Sequence, residues 1–489
     1  MATMTYAGAL EKVDETCWRI PKSYKPGMRV DGLIFTDERM LDQVKSDQAI
    51  EQVANVAFLP GIQRASLAMP DIHWGYGFCI GGVAATDPAP GSDGVISPGG
   101  VGYDINCGVR LVRTNLTEAD LHDRLKQLIA QLLRDIPTGV GRSGKHHFSR
   151  RELSQLMTEG VGFLRRRGLA VESDLECCEA GGCIDDAVPE YVSDRAYERG
   201  ADQCGTVGAG NHFLEVQVVD QIADEEKAAA MGLRTGRVCV LIHSGSRGLG
   251  YQVCDDTLRA FRPVPEKYGI ELPDRQLACA PINSPEGQTY IGAMRSAANF
   301  AFCNRQLLMH QTRETFARFF NTSWQKLGME LVYDVAHNIA KFEEHDVDGV
   351  RKTVCVHRKG ATRAFPPGHP DVPQRYRATG QPVIIPGDMG RASWVLAGAQ
   401  GAMEKSFGTT CHGAGRAMSL TASVHDAKGR NIEHELAAKG IIARARSRRG
   451  LAEEQPAAYK DVDLVVDVVH RANLSTKVAR LRPLGVIKG

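Results

Sequence analysis

Two side chains that can bind a metal ion, Asp104 and Cys107, lie three residues apart in the run Gly-Tyr-Asp-Ile-Asn-Cys-Gly. Glycine on both sides lets the backbone approach an ion closely or adopt a positive φ. A thiolate and a carboxylate, joined by imidazoles, suit a catalytic transition-metal site better than a structural zinc clip. The run therefore indicates a metal centre and makes the histidines of the chain its first candidate partners.

Three histidines lie in runs of the same glycine-rich or polar character. His212 follows Gly-Ala-Gly-Asn, His243 precedes Ser-Gly-Ser-Arg-Gly, and His337 lies between alanine and asparagine. Each one alone is more often a capping or core histidine, but three in such contexts favour metal ligation. His73, in Pro-Asp-Ile-His-Trp-Gly, has a weaker case, because it could line the site or only support it.

A further histidine, His412, lies in Thr-Thr-Cys-His-Gly-Ala-Gly-Arg and is a candidate nucleophile. A neutral imidazole can attack an α-phosphate and form a phosphoramidate, which is covalent catalysis. The glycine after His412, and Arg416 four residues on, suit a ring that faces a phosphate beside a guanidinium. The residue types alone do not distinguish this role from a further metal ligand or a backbone anchor.

The chain has glycine turns but no P-loop, since no Gly-x-x-x-x-Gly-Lys-Ser/Thr run occurs. Residues 139–144 match Gly-x-Gly-x-x-Gly, but they follow Pro137 without a βαβ unit, which excludes a dinucleotide-binding fold. Successive backbone N–H groups in glycine turns can instead form anion-binding nests. Residues 208–211 and 413–415 fit that description.

Bulk composition predicts a cytoplasmic protein. The 489 residues are 43% hydrophobic, which is enough for a sizeable core, and the net charge of +1 indicates no polyanion partner by itself. We find no signal-peptide pattern and no run of about eighteen apolar residues, so no membrane contact is expected. Thirteen scattered cysteines fit a reducing cytosol, and Cys177, Cys178 and Cys183 are interpreted as buried or surface thiols rather than a second metal site.

The sequence patterns predict that both strands and helices position these residues. Residues 117–200 are interpreted as a mainly helical insertion with Thr117 as an N-cap, and the acidic stretch 172–186 is predicted to be a solvated loop. We expect an α+β fold: one large composite domain over residues 1–489. The patterns predict strands at 80–85, 109–113, 213–219, 238–243, 331–334, 352–357 and 383–386, and helices at 119–133, 150–168, 194–200 and 290–320.

Together these runs resemble the RtcB-type RNA-splicing ligases, which join RNA ends using GTP and manganese. The resemblance extends from about residue 70 to residue 489 and rests on several long motifs in the same order. It implies an RtcB-like fold and two Mn²⁺ ions, one held by Asp104, Cys107 and His212, the other by Cys107, His243 and His337. A thiolate is soft for manganese, so residue type alone would favour zinc.

The same resemblance implies a GTP pocket in which His412 carries GMP. Lys488 and Glu215 would contact the guanine base, and Tyr459 would stack on it. The other pocket residues that the resemblance implies are Asn211, His212, Phe213, Leu214, His337, Asn338, Pro386, Gly387, Asp388, Met389, Ser393, Gly413, Ala414 and Gly415.

The implied partner is RNA with a 3′-phosphate or 2′,3′-cyclic phosphate end and a 5′-hydroxyl end, in tRNA splicing or RNA repair. An archease-type activator is a candidate second partner. Two basic runs, 357–363 and 442–449, are candidates for phosphate contacts, although a solvated helix face is the ordinary explanation for the second.

Two alternative functions compete with ligation. A binuclear metal-dependent phosphoesterase accounts equally well for the five metal-binding residues, but it does not account for His412 beside a glycine nest. A non-catalytic RNA-binding or chaperone protein predicts no nucleotide chemistry and predicts that Cys107→Ala is tolerated.

Overall fold

Two large sheets and one long helix organise the structure, a computed structural model that describes residues 6–489. The strands are β1 (Glu11–Lys12), β2 (Cys17–Ile20), β3 (Asp31–Phe35), β4 (Ala65–His73), β5 (Ile80–Thr86), β6 (Val95–Ile96), β7 (Gly108–Thr117), β8 (Phe213–Ile222), β9 (Arg237–Ser244), β10 (Ala280–Pro281), β11 (Glu330–Ala336), β12 (Asn338–Val347), β13 (Val350–Lys359), β14 (Ala361–Arg363), β15 (Pro382–Ile385), β16 (Ser393–Gly398), β17 (Thr409–Cys411), β18 (Ile442–Ala445) and β19 (Ser475–Lys488).

The helices surround these sheets. They are α1 (Glu38–Ser46), α2 (Ala49–Val56), α3 (Glu118–Leu121), α4 (Leu125–Asp135), α5 (Arg150–Glu159), α6 (Val161–Arg166), α7 (Glu172–Glu176), α8 (Asp194–Gly200), α9 (Glu225–Met231), α10 (Arg247–Ala260), α11 (Val264–Lys267), α12 (Pro285–Phe320), α13 (Gln400–Lys405), α14 (Leu420–Asp426), α15 (Ile432–Ala437), α16 (Arg448–Glu453) and α17 (Val462–Arg471).

The two large sheets are mainly antiparallel. One has the strand order β1-β2-β3-β4-β5-β13-β12, and the other has the order β11-β7-β9-β8-β19-β16-β15, with β18 beside β19. The β3–β4 and β18–β19 pairs are parallel. The predicted α+β class is confirmed, and strands are present at each of the seven predicted positions.

Helix α12 runs through the interior and is buried over most of its 36 residues. Its start is fixed by the Ser284 side chain, which accepts a hydrogen bond from the Gly287 N–H, and by Pro285 in the first turn. It ends at Asn321, whose φ of 50° closes the helix in the left-handed region. No helix within residues 6–489 combines the length and apolar character that a membrane crossing requires.

The segment 117–200 contains helices broken at two points where the sequence predicted continuous ones. The helix expected at 119–133 is divided into α3 and α4, and the one expected at 150–168 is divided at Gly160. Gly160 has a φ of 55°, and a Cβ there would lie 2.2 Å from the carbonyl oxygen of Gly182. The Asp120 carboxylate accepts a hydrogen bond from the Thr117 N–H, which agrees with Thr117 as the N-cap of α3.

The prediction of a solvated loop at 172–186 is wrong for helix α7 and for two buried acidic residues, Asp174 and Glu179. Asp174 is fully buried and forms two hydrogen bonds of 2.8 Å with the Arg313 guanidinium on α12. Glu179 is also buried and accepts hydrogen bonds from Lys341 Nζ at 2.6 Å and from the Ala336 N–H at 2.9 Å. Asp174 and Glu179 are internal ion-pair partners, whereas Glu172, Glu176, Asp185 and Asp186 are exposed, and composition alone cannot distinguish the two groups.

Candidate active site

Four neighbouring strands bring the predicted metal ligands to one edge of the second sheet. In the antiparallel order β11-β7-β9-β8, the end of β11, the start of β7, the end of β9 and the start of β8 are adjacent, as the pairs Ala336–Gly108 and Phe213–His243 show. Cys107 directly precedes β7 and His212 directly precedes β8. His337 directly follows β11. The sheet register therefore gathers residues that are far apart in the sequence.

The donor atoms converge as two groups of three that share one thiol. Cys107 Sγ lies 3.3 Å from Nε2 of both His212 and His243, and His243 Nε2 lies 3.4 Å from His337 Nε2. His212 Nε2 is 2.9 Å from the Asp104 carboxylate. Within each group, Asp104–Cys107–His212 and Cys107–His243–His337, the donor atoms lie within 4.8 Å of one another. The donor set fits two divalent cations bridged by a thiolate.

Protonation of these groups follows from their burial. Burial, helped by neighbouring histidines, lowers the pKa of His243 and His337 well below the ordinary value, so both imidazoles are neutral and can donate lone pairs. Burial would raise the pKa of Asp104, but His212 and Arg247 outweigh it and lower that pKa to about 2. Burial and the Asp104 charge raise the pKa of the Cys107 thiol, which a bound cation would reverse.

A buried arginine of α12, Arg305, holds the Cys107 loop from behind. Its Nη1 donates to the carbonyl oxygens of Asn106 at 2.7 Å and Ser244 at 3.0 Å. Its Nη2 donates to the Asp334 carboxylate at 2.7 Å, and all of these groups are buried. Asn106 has a φ of 53°, so the turn that presents Cys107 depends on this support.

A cleft with a volume of about 380 Å³ opens beside the donor atoms, which is a suitable size for a small ligand. Most of the predicted nucleotide-binding residues line it. They are Asn211, Phe213, Glu215, His337, Asn338, Pro386, Gly387, Asp388, Met389, His412, Gly413, Ala414, Gly415, Tyr459 and Lys488.

Three predicted pocket residues do not line the cleft. Leu214 is fully buried in the core, because alternate residues of β8 point to opposite faces of the sheet. Ser393 lies behind the wall, where its hydroxyl accepts hydrogen bonds from Gln217 Nε2 at 2.9 Å and from the Gly387 N–H at 3.3 Å. His212 is buried among the metal-binding groups.

His412 is paired with Asp71, a residue that the sequence reading did not select. His412 Nδ1 lies 2.6 Å from an Asp71 carboxylate oxygen, which also accepts hydrogen bonds from the N–H groups of His412 and Gly413. Burial would raise the pKa of Asp71, but the His412 contacts hold it below its ordinary value. Because Nδ1 is the ring nitrogen beside the carboxylate, Nε2 is the nitrogen left to react. Asp71 lies in the same motif as His73, so this motif was the sequence signal that could have identified it.

The other end of the cleft is a cluster of paired charges around Glu454, which the sequence reading also missed. Its carboxylate contacts Arg416 at 3.0 Å, Lys488 Nζ at 3.5 Å and the Tyr459 hydroxyl. Lys488 is only 3% exposed and ends β19, so the end of this strand is packed rather than frayed. Burial raises the pKa of nearby Glu215 to about 8, although Gln217 and Lys488 act in the opposite direction.

The first basic run does not form a surface for RNA. Residues 357–363 belong to β13 and β14, and all of them are buried. Arg358 forms two hydrogen bonds of 2.7 Å with Glu343, and Arg363 lies 3.7 Å from Glu179. The second run, 442–449, covers β18 and the start of α16, and its residues 446–449 are exposed.

Comparison with known proteins gives a consistent assignment. A family model described as tRNA-splicing ligase RtcB matches residues 52–489. The chain is 54% identical over 486 residues to a tRNA-splicing ligase RtcB of Archaeoglobus fulgidus, covering 99% of this chain and 100% of the relative. It is 52% identical to the protein of that name from Thermococcus kodakarensis, over 98% of this chain and 99% of the relative. An RNA-splicing ligase RtcB of Mycobacterium tuberculosis is 53% identical over 90% of this chain and all of the relative.

Proposed function

Since the chain belongs to the tRNA-splicing ligase RtcB family, we propose that it is a GTP-dependent RNA ligase acting in tRNA splicing or RNA repair. It joins an RNA 3′-phosphate or 2′,3′-cyclic phosphate end to a 5′-hydroxyl end through a histidine–GMP intermediate. The observation that carries the proposal is His412 held by Asp71 at 2.6 Å, between the metal-binding groups and the paired-charge end of one cleft.

The first step loads GMP onto His412. The Asp71 carboxylate accepts a hydrogen bond from Nδ1–H and so keeps the lone pair on Nε2, which attacks the α-phosphorus of GTP. A P–N bond forms, and the P–O bond to pyrophosphate breaks. The ring centroid of His337 is 5.0 Å from that of His412, which supports this step because a cation held by His337 would be close to the reacting phosphate.

The second and third steps join the RNA. An oxygen of the RNA 3′-phosphate attacks the phosphorus of the histidine–GMP adduct, the P–N bond breaks, and the imidazole is released. The RNA 5′-hydroxyl then attacks the activated 3′-phosphorus, forming the phosphodiester and releasing GMP. A cyclic phosphate is first opened by water at the same site to give the 3′-phosphate.

Two Mn²⁺ ions, held by Asp104, Cys107, His212, His243 and His337, would supply positive charge that orients the phosphates and neutralises the charge developing on them. Glu215 and Lys488 would bind the edge of the guanine base, and Tyr459 would pack against its ring. A phosphoesterase that lacks ligation would need the metal-binding groups but neither the His412–Asp71 pair nor the cluster around Glu454.

Incubation with α-³²P-labelled GTP and manganese, with and without an RNA ending in a 2′,3′-cyclic phosphate, tests the proposal. We expect a labelled protein adduct that is acid-labile and alkali-stable, as a phosphoramidate is, and a joined RNA product when a 5′-hydroxyl strand is present. Hydrolysis of the RNA end without adduct or joined product would instead identify a phosphoesterase.

A further inference from the structure

A buried lysine, Lys460, lies beside the Asp71–His412 pair and has no role in the steps above. Lys460 is 3% exposed and does not line the cleft. Its ammonium donates hydrogen bonds to the carbonyl oxygens of Pro70, at 3.5 Å, and of Ile72. Those two residues are the immediate neighbours of Asp71, so Lys460 holds the backbone on both sides of that carboxylate.

The contacts of Lys460 fall where strand β4 departs from its neighbours in the sheet. Within the described part of the chain, the pairing of β4 with β3 ends at Ala68, and its pairing with β5 shifts register between Ala68 and His73. Such a break re-aims side chains and leaves backbone C=O groups that need other donors. Lys460 supplies donors at this break, so the direction of Asp71 depends on a side chain from near the other end of the sequence.

The same lysine also contacts the turn that carries the nucleophile. The backbone N–H of Lys460 donates to the carbonyl oxygen of Gly415 at 3.0 Å. Gly415 has a φ of 73°, and a Cβ there would lie 2.3 Å from the carbonyl oxygen of Asp71. The turn after His412 therefore packs directly on the backbone of Asp71, and Lys460 contacts both of the segments that form the pair.

The charge of Lys460 is opposite to that of Asp71, which is fully buried. Burial lowers the pKa of Lys460 to about 8, and Asp71 is the first of the groups that act in the opposite direction. The ammonium is therefore mainly protonated at neutral pH. Nearby His73 is neutral, because burial lowers its pKa to about 3. A buried carboxylate without a balancing cation tends to take up a proton, so Lys460 favours the ionised form of Asp71.

We propose that Lys460 is a positioning residue for the loading of GMP. Its ammonium holds the Asp71 segment against the His412 turn and balances the Asp71 charge, so that the carboxylate keeps Nε2 of His412 free to attack. Lys460 acts through Asp71 and contacts neither GTP nor RNA. This inference rests on the proposed function, because it takes transfer of GMP to His412 as the step that Asp71 supports.

Single-turnover labelling of Lys460→Met with α-³²P-labelled GTP tests the inference. At saturating GTP and manganese, the labelling rate should fall by roughly 10- to 100-fold, as misplacement of a reacting group does. The GTP concentration for half-maximal rate should change little. Sealing of RNA whose 3′ end is already guanylylated should keep its rate, since that step does not load His412. Lys460→Gln, which keeps a donor group without the charge, should also slow labelling and provides the test if the methionine variant does not fold.

Lys359→Met is the matched control. Lys359 is 4% exposed, and its ammonium also donates to a backbone carbonyl oxygen, that of Tyr76. This variant should label at the wild-type rate. An unchanged labelling rate in Lys460→Met would overturn the inference, and so would an equal loss of labelling and sealing, which would indicate general damage to the site.

A double variant shows whether Lys460 acts through Asp71. Asp71→Asn combined with Lys460→Met should label no more slowly than Asp71→Asn alone, because coupled residues are not additive. Losses that multiply would show that Lys460 acts independently of Asp71 and would overturn the inference while leaving the proposed function in place. A wild-type protein that forms no adduct would refute the proposed function, and this inference with it.

Discussion

The two ends of the cleft differ in how their buried polar atoms are satisfied. At the end formed by the candidate metal ligands, here called the metal end, Nε2 of His243 lies 3.3 Å from Cys107 Sγ and 3.4 Å from Nε2 of His337. At the opposite end, Glu454 contacts both Arg416 and Lys488, so these three buried charges face opposite ones, while burial keeps nearby Glu215 mainly protonated. One end holds donor atoms that converge on each other, whereas the other holds charges that the protein itself compensates.

This difference distinguishes the end whose charges the protein itself pairs from the end that must bind cations. Converging lone pairs that lack a positive partner are stable only as neutral groups, and burial keeps His243, His337 and the Cys107 thiol in that state. A bound cation would complete the metal end. The paired charges around Glu454 are instead preorganised, so a ligand there exchanges contacts without requiring a new ion.

The largest expected effect comes from removing the atom that both ligand groups share. Cys107→Ala should abolish adduct formation and ligation, because it removes one donor from each group. Metal analysis measures the loss of bound ions, and GTP labelling and an RNA-joining assay measure the losses of adduct formation and ligation. Cys303→Ala, which truncates a buried thiol on α12, is the matched control and should keep both properties. Two tightly bound ions and full ligation in Cys107→Ala would contradict the shared-ligand assignment.

Removing the nucleophile should separate loading from sealing. His412→Ala should form no GMP adduct, yet it should still bind manganese and seal RNA whose 3′ end is already guanylylated. The exposed His425 provides the control variant His425→Ala, which should behave as the wild type does. An adduct of the same acid lability in His412→Ala would move the nucleophile to another residue.

Replacing Asp71, which orients the His412 ring, should have a smaller effect: it should slow adduct formation rather than abolish it. Asp71→Asn keeps the shape of the side chain, but its amide can donate an N–H to Nδ1 instead of accepting from Nδ1–H. That orientation moves the ring proton to Nε2 and removes the reactive lone pair. We expect adduct formation to slow by about 10²-fold or more, with sealing of guanylylated RNA less affected. Single-turnover labelling measures the rate, and an unchanged rate would make Asp71 only a structural partner.

Much of this architecture could be predicted because its causes are local. Cys107, His212 and His337 directly precede or follow strands, His243 lies near the end of one, and short apolar runs located those strands. Asp71 and Glu454 were missed because their roles depend on pairing across 341 and 38 residues, respectively, to the backbone N–H of His412 and to Arg416. The buried charges Asp174 and Arg358 were wrongly predicted to be exposed for the same reason. A charged residue is expected at the surface unless its ion-pair partner is known.

Substitutions in the charge cluster around Glu454 should weaken GTP binding without changing the metal ligands. Deleting Lys488 and Gly489, or making Lys488→Met, should raise the GTP concentration needed for labelling, since a charge-assisted hydrogen bond contributes roughly 1.5–3 kcal/mol. The effect should vanish at high GTP, and metal content should stay unchanged. Lys477→Met, at an ion pair near the surface, is the control. An unaltered GTP dependence in the truncated protein would leave Lys488 as a packing residue.

The smallest expected effect is a pH dependence at the same end. Burial raises the pKa of Glu215 from 4.5 to about 8, so in the free protein this carboxyl is mainly protonated at neutral pH. The guanine N1–H and amino group are donors and favour the ionised carboxylate, so binding must release that proton. Affinity for GTP should therefore rise about five-fold between pH 7 and pH 8 and level off above.

Comparison with Glu215→Gln isolates this group from the rest of the protein. Because the folded-state pKa is raised, the protonated carboxyl contributes stability that is present below pH 4.5 and is lost as the pH rises to about 8. Glutamine carries no such proton, so the variant should bind GTP more weakly and with a flatter pH profile, and its stability should fall less over this window. Parallel pH profiles of GTP affinity in the two proteins would show that Glu215 does not ionise when the base binds.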